Sequence, residues 1–100
     1  MYGRIGKLIA VPGRRDELAR IILEGTRDMP GCLAYHVAKD ATEPTAMWIH
    51  EVWTDREAHT ASLRMETVRE AMLRGRPLIR GMGDAIETEV VGGHGLAQAS

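Results

Sequence analysis

Residues Met47–Ser62, MWIHEVWTDREAHTAS, change their period midway. Up to Trp53 they alternate, with Met47, Ile49, Glu51 and Trp53 on one face and Trp48, His50 and Val52 on the other, as in a strand. From Thr54 the pattern is helical. Thr54-Asp55-Arg56-Glu57 has the T-x-x-E form of a capping box, where a hydroxyl and a carboxylate satisfy free amides at a helix start. The junction gathers an indole (Trp53), a carboxylate (Glu51) and an imidazole (His59), and the chain carries no comparable cluster elsewhere. Such junctions line pockets for flat organic molecules in small α+β domains, so a binding or catalytic site is expected here.

Working upstream, DATEPT (Asp40–Thr45) is a polar hairpin loop that joins this strand, Ala46–Trp53, to another over Cys32–Lys39. There Leu33, Tyr35 and Val37 alternate against Ala34, His36 and Ala38. Before it, Met29-Pro30-Gly31 ends a helix running from Arg14 to about Asp28, with Leu18, Ile21, Ile22 and Gly25 at helical spacing. The first strand is Tyr2–Val11, closed by Pro12-Gly13 and apolar on both parities, as in a strand covered on two sides. Downstream, a helix is expected over Asp55–Arg74, with Ala58, Ala61, Met65, Val68 and Met72 inward and room for a kink near Arg64–Glu66. Gly75 and Pro77 stop it. A loop with Gly81 and Gly83 leads to a fourth strand, Ala85–Val91, and to GGHGLAQAS (92–100), a flexible-looking tail.

The order β-α-β-β-α-β is the split βαβ arrangement of an α+β, ferredoxin-like domain, with an antiparallel sheet and two helices on one face. One domain is expected over residues 1–91. The apolar second face of the first strand calls for cover, and a homodimer joined sheet to sheet supplies it.

Net charge is −1 with acids and bases mixed, and no basic stripe tracks a phosphate backbone, so nucleic acid is not an expected partner. Cys32 is the single cysteine, which excludes an internal disulfide and suits a reducing compartment. Neither a leader peptide nor a membrane span is read from the sequence, and the expected location is cytoplasmic.

Among candidate site residues, His59 has an imidazole able to accept a phenolic proton near neutral pH; its plainer reading is a helix-surface histidine. Trp53 can stack on a flat ligand or serve as a core or interface tryptophan. Glu51, a carboxylate within a strand, must be paired or exposed; it reads as an ion-pair partner, with a general base as the alternative. Tyr35 packs on the apolar face with a hydroxyl that needs a partner. Met65, Met72 and Met82 fill space or adapt a pocket to variable aromatic ligands. Ser62 has no base fixed beside it, which argues against a nucleophile. His36 and His50 share the parity of Trp48 and suggest a histidine pair, but no third ligand is spaced for a metal.

Several pieces together resemble the antibiotic biosynthesis monooxygenase family. They are Val11-Pro12-Gly13 with Asp16-Glu17-Leu18, Pro30-Gly31-Cys32-Leu33-x-Tyr35, Asp40 with Pro44, and Glu51-x-Trp53-x-Asp55-x-Glu57-Ala58. The resemblance covers residues 4–90 and implies a dimeric α+β barrel. It also implies oxygenation by O2 of an electron-rich quinol-like or polycyclic aromatic substrate, with no metal or flavin cofactor. Trp53 resembles the pocket tryptophan of the polyketide-type members, and His59 falls where they carry a tyrosine. Three positions depart: Ile49 stands where those members have asparagine, and Ser62 and Thr67 stand where many members have histidine. The haem-degrading branch needs tryptophan at the Ser62 position, so haem breakdown is not implied.

The expected site therefore has His59 and Trp53 as catalytic residues, with Tyr35, Ser62, Glu51, Met65 and Met82 binding the substrate. A non-catalytic dimeric ligand-binding module, or an isomerase or cyclase on the same barrel, stays open beside it.

Overall fold

The computed structural model describes residues 1–97. Its elements are β1 (Tyr2–Ala10), α1 (Arg15–Gly25), β2 (Cys32–Lys39), β3 (Ala46–Trp53), α2 (Arg56–Ser62), α3 (Glu66–Gly75), a 3-10 turn (Arg76–Leu78), β4 (Ile79–Met82) and β5 (Ile86–Glu89). All strand pairs are antiparallel. The order is β2-β3-β1-β4, and β5 also pairs with β1. This is the ferredoxin-like α+β arrangement, and the β2–β3 hairpin has the expected boundaries.

Three features differ from the sequence reading. The second helix is two helices, broken between Ser62 and Glu66. Leu63, Arg64 and Met65 donate to the carbonyls three residues back, Thr60, Ala61 and Ser62, at 3.1–3.2 Å. Such tight bonds end α2, and Met65 then takes an extended backbone. As a result Ala61 and Met72, expected inward, are exposed, while Ser62 is buried. The start of α2 is capped by Asp55, not Thr54. The Asp55 carboxylate accepts from the Ala58 amide at 2.8 Å, whereas the Thr54 amide is already bonded to the Gly31 carbonyl at 2.9 Å. Finally, residues 79–82, read as loop because of Gly81 and Gly83, form β4 against Leu8–Ala10, while β5 lies against Tyr2–Ile5. Gly83 keeps the ladder going between them by donating to the Lys7 carbonyl at 2.9 Å.

Strand pairing sorts the side chains into two faces. Tyr2, Arg4, Leu8, Met47, Glu51 and Trp53 share one, through the pairs Tyr2↔Trp53, Arg4↔Glu51 and Leu8↔Met47. The helices cover it. One core cluster joins Leu8, Ala10 and Met47 to Leu18 and Ile21 of α1, Ala71 of α3 and Leu78; a second joins Tyr2, Met29, Trp53 and Val68. Gly25 lets α1 and α3 cross closely: a Cβ there would strike the Ala71 Cβ and stand 2.9 Å from the Thr67 carbonyl. Gly31, at φ 79°, brings the β2 entry against α2, where a Cβ would lie 2.7 Å from the Ala58 Cβ.

The opposite face carries Ile5, Lys7, Ile9, Trp48, His50 and Val52, half-buried apart from the exposed His50. No element among the described residues is packed on it. His36 and His50 are paired in register there, both exposed. Beyond β5 the chain returns to β2, where the Ala97 amide donates to the Leu33 carbonyl at 3.0 Å. The last part of the expected flexible tail, 98–100, lies outside the described residues. Among the described residues no helix is long and apolar enough to cross a membrane, and no group of three or more His, Cys, Asp or Glu is placed to hold a metal ion.

Candidate functional site

Between the covered sheet face and the three helices lies a cavity of about 420 Å³. The sheet contributes Leu8, Tyr35, Ile49, Glu51 and Trp53. The helices contribute Leu18, Ile22, His59, Ser62, Val68, Ala71 and Met72. Leu63, Arg76 and Met82 line its open side, where Met72 and Met82 are 50% and 74% exposed.

Strand alternation assembles the polar end. Glu51 and Trp53 are two residues apart on β3, and the pairing sets Arg4 of β1 and Tyr35 of β2 on either side of Glu51. Trp53 is fully buried, and its indole N–H donates to Glu51 Oε1 at 3.0 Å. The Asp55 cap starts α2 so that its first turn folds His59 back over the end of β3. The imidazole sits edge-on to Trp53, with centroids 5.6 Å apart and planes at 70°, and 5.6 Å from the Tyr2 ring. His59 Nε2 is 3.8 Å from Glu51 Oε1, outside hydrogen-bond range.

Burial dominates the proton affinities. It raises the Glu51 carboxyl above its ordinary value, opposed by the Trp53 hydrogen bond and by Arg4. It lowers His59, with Arg4 adding to the effect, which favours the neutral imidazole. It pushes the Tyr35 phenol far up, assisted by Glu51, and that hydroxyl remains a donor throughout the physiological range.

Behind His59 the polar network continues outward. Arg4 donates to the Tyr2 hydroxyl at 3.1 Å, Tyr2 donates to Glu87 Oε2, and Arg56 pairs with Glu87 at 2.6 Å.

Of the residues expected from sequence, Tyr35, Glu51, Trp53, His59, Ser62 and Met82 line the one cavity. Met65 packs against the core cluster around Trp53 instead. Ser62 is 4% exposed, and its hydroxyl donates to the His59 carbonyl at 2.6 Å. Trp48 lies on the other face, donating to Asp40 at 2.8 Å beneath Lys7. Sequence reasoning passed over Arg4 and Arg76. Counting the register outward from Glu51 would have reached Arg4. Arg76 enters the wall only through the 3-10 turn after Gly75, which no periodicity announces. Among the described residues Arg76 has no ion-pair partner, and it is the one lysine or arginine on the cavity wall.

The arrangement can bind a mostly apolar, flat molecule, accept a proton from it at the Glu51–His59 end and balance negative charge at Arg76. The pattern of the family described as antibiotic biosynthesis monooxygenase matches residues 1–74. A solved structure from Chloroflexus aurantiacus J-10-fl, provisionally given that name, is 51% identical; the match covers 96% of this chain and 98% of that one, with a TM-score of 0.93. Another solved structure with the name is 26% identical over 92% of this chain and 100% of that one, with a TM-score of 0.78. A third, from Deinococcus radiodurans and provisionally so named, is 24% identical over 93% and 95%, with a TM-score of 0.77, a likeness of fold alone. No curated protein matches. A family pattern over most of the chain and a half-identical relative aligned along nearly its whole length lead to one conclusion: this chain belongs to the antibiotic biosynthesis monooxygenase family.

Proposed function

We propose that the protein oxygenates a quinol-like or polycyclic aromatic small molecule with O2, the substrate itself supplying the electrons. One oxygen atom enters the ring system and the other leaves as water. The observation that carries this reading is a carboxylate, an imidazole, an indole and a phenol with no hydrogen-bond partner among the described residues, all at one end of an apolar cavity whose size suits a small flat ligand. In this reading Trp53 contacts the ring, His59 accepts a hydroxyl proton, and Tyr35 donates a hydrogen bond to the ligand. Arg76 stabilises the resulting phenolate, while Met82 and Met72 adapt the mouth to ring size. Ser62 supports His59 through its carbonyl. The apolar walls keep water from the reduced-oxygen intermediate.

The reading extends to a homodimer formed through the face bearing Ile5, Ile9, Trp48 and Val52, with residues 1–91 as the folding unit, in a reducing cytoplasm that leaves Cys32 a free thiol. Two observations favour a second reading, a ligand-binding module without turnover: Ile49 is apolar, and the Ser62 hydroxyl is committed to its own helix.

Oxygen consumption by chelator-treated protein over a panel of hydroquinones and anthrones separates the two. Uptake above autoxidation that falls at least tenfold in His59→Ala and in Arg76→Ala supports the oxygenase. Saturable Trp fluorescence quenching without uptake selects the binding module.

A further inference from the structure

Glu51 has more acceptor capacity than its surroundings use. Oε1 takes the Trp53 indole N–H at 3.0 Å, and among the described residues Oε2 accepts no hydrogen bond. A carboxylate only 14% exposed is ordinarily surrounded by donors. Its nearest candidates are engaged elsewhere or idle. Arg4 Nη1 is turned to the Tyr2 hydroxyl, and the Tyr35 hydroxyl, on the residue paired with Glu51, has no partner among the described residues. The nearest basic atom is His59 Nε2 at 3.8 Å, held there by the Tyr2 and Trp53 rings.

We propose that Glu51 and His59 work as a single proton-accepting pair on the cavity wall, taking one proton from a hydroxyl of the bound ring, with the Trp53 indole holding the carboxylate in place. The proposal deepens the functional reading above and rests on it for the identity of the hydroxyl. In the step, the ligand O–H bond breaks and its electron pair stays on the ligand oxygen. The proton bonds to the imidazole or to Glu51 Oε2, and no other bond changes. The pair goes from a net charge of −1 to 0, so no lone cation is created in an apolar cavity. Burial moves the two proton affinities toward each other, lowering His59 and raising Glu51, and the 3.8 Å separation is the geometry on which their coupling rests. The other groups facing the pair are Arg4 and Tyr2 from β1, Tyr35 from β2, Arg56 from α2 and Glu87 from β5. Arg4 and Arg56 oppose the imidazolium and Glu87 favours it. Glu51 is the anion in direct reach of the ring nitrogen.

The test is an NMR titration of the histidine side-chain nitrogens, with the His59 signals assigned by their loss in His59→Gln. Wild-type protein is compared with Glu51→Gln, a near-isosteric change that keeps an acceptor for the Trp53 N–H. The expected result is a fall in the proton affinity of His59 of about tenfold or more, one unit of midpoint, with partial recovery in Glu51→Asp. An unmoved midpoint overturns the pair. Should Glu51→Gln fail to fold, the wild-type curves decide. His59 and the Glu51 carboxyl each showing the other's inflection supports the pair, and two independent single inflections overturn it. The readout needs no turnover. A moved midpoint without oxygen uptake supports the pair while the oxygenase reading falls, and uptake with an unmoved midpoint does the reverse.

Discussion

Each face of the sheet carries one tryptophan that donates its indole N–H to a carboxylate, and the two carboxylates behave in opposite ways. On the covered face Trp53 donates to Glu51, which burial pushes up. On the open face Trp48 donates to Asp40, which is held well below the usual carboxylate range by the Glu43 amide, the Trp48 indole and the Thr42 amide. The same donor type therefore accompanies opposite shifts. What differs is the number of donors and the access of water: Asp40 gathers several amides in an exposed turn, while Glu51 has one indole inside a cavity. A buried carboxylate short of donors is poised to take a proton, and one crowded by donors at the surface is a structural clasp.

The largest test of this contrast is to delete each indole. Trp53→Ala should cost about 3–5 kcal/mol in urea unfolding, as for large buried aromatics, whereas Trp48→Ala should cost no more than about 1–2 kcal/mol. If copies pair through the open face, the Trp48→Ala cost will depend on protein concentration. Equal costs at every concentration would erase the difference between the faces.

Next is the crossing that covers the closed face. Gly25→Val places a side chain against Ala71 and the Thr67 carbonyl and should cost about 1–3 kcal/mol by overpacking. Asp55→Ala removes the cap that starts α2 and should cost about 1 kcal/mol. It should also broaden the His59 NMR signals while leaving those of His36 and His50 sharp.

The smallest effects carry opposite signs. Asp40 has a depressed folded-state value, so its ionised form adds stability above its ordinary 3.8, and that contribution is lost as pH falls through the folded value. Asp40→Asn should thus destabilise at pH 7, with the deficit shrinking in acid. Glu51 has a raised value, so the folded state binds its proton first and stability is gained as pH falls through that raised value toward the ordinary 4.5. Glu51→Gln should therefore be relatively favoured at pH 7 and lose that advantage in acid. Stability curves from pH 3 to 8 for both variants check the pair of signs, and slopes of the same sign would sink the comparison.

The β2–β3 hairpin was legible to the residue because strict alternation bounded by Met29-Pro30-Gly31 and DATEPT leaves no competing reading. Gly81 and Gly83 hid β4, since both glycines suit a loop equally well and the strand's partners, Leu8, Ile9 and Ala10, lie at the far end of the sequence. Helical spacing runs on through Leu63–Met65, so the α2–α3 break showed only as room for a kink. Part of the site was visible for the same local reason as the hairpin: Glu51, Trp53 and His59 lie within one junction. Arg4 comes beside Glu51 through strand register and Arg76 reaches the cavity through a 3-10 turn, which are tertiary facts. Met65, expected at the site because a flexible thioether suits variable ligands, lies partly buried against the Trp53 cluster, at the break where α3 restarts one residue after it.

The divided outer strand has a further consequence, for how the protein behaves when crowded. Along β1, two pieces of four residues each, Ile79–Met82 and Ile86–Glu89, stand where one uninterrupted strand would otherwise run. A sheet margin this short, carrying Arg80, Glu87 and Glu89, offers no long row of free amides on which another chain's strand can grow. The segmentation makes that margin a poor template for fibril extension.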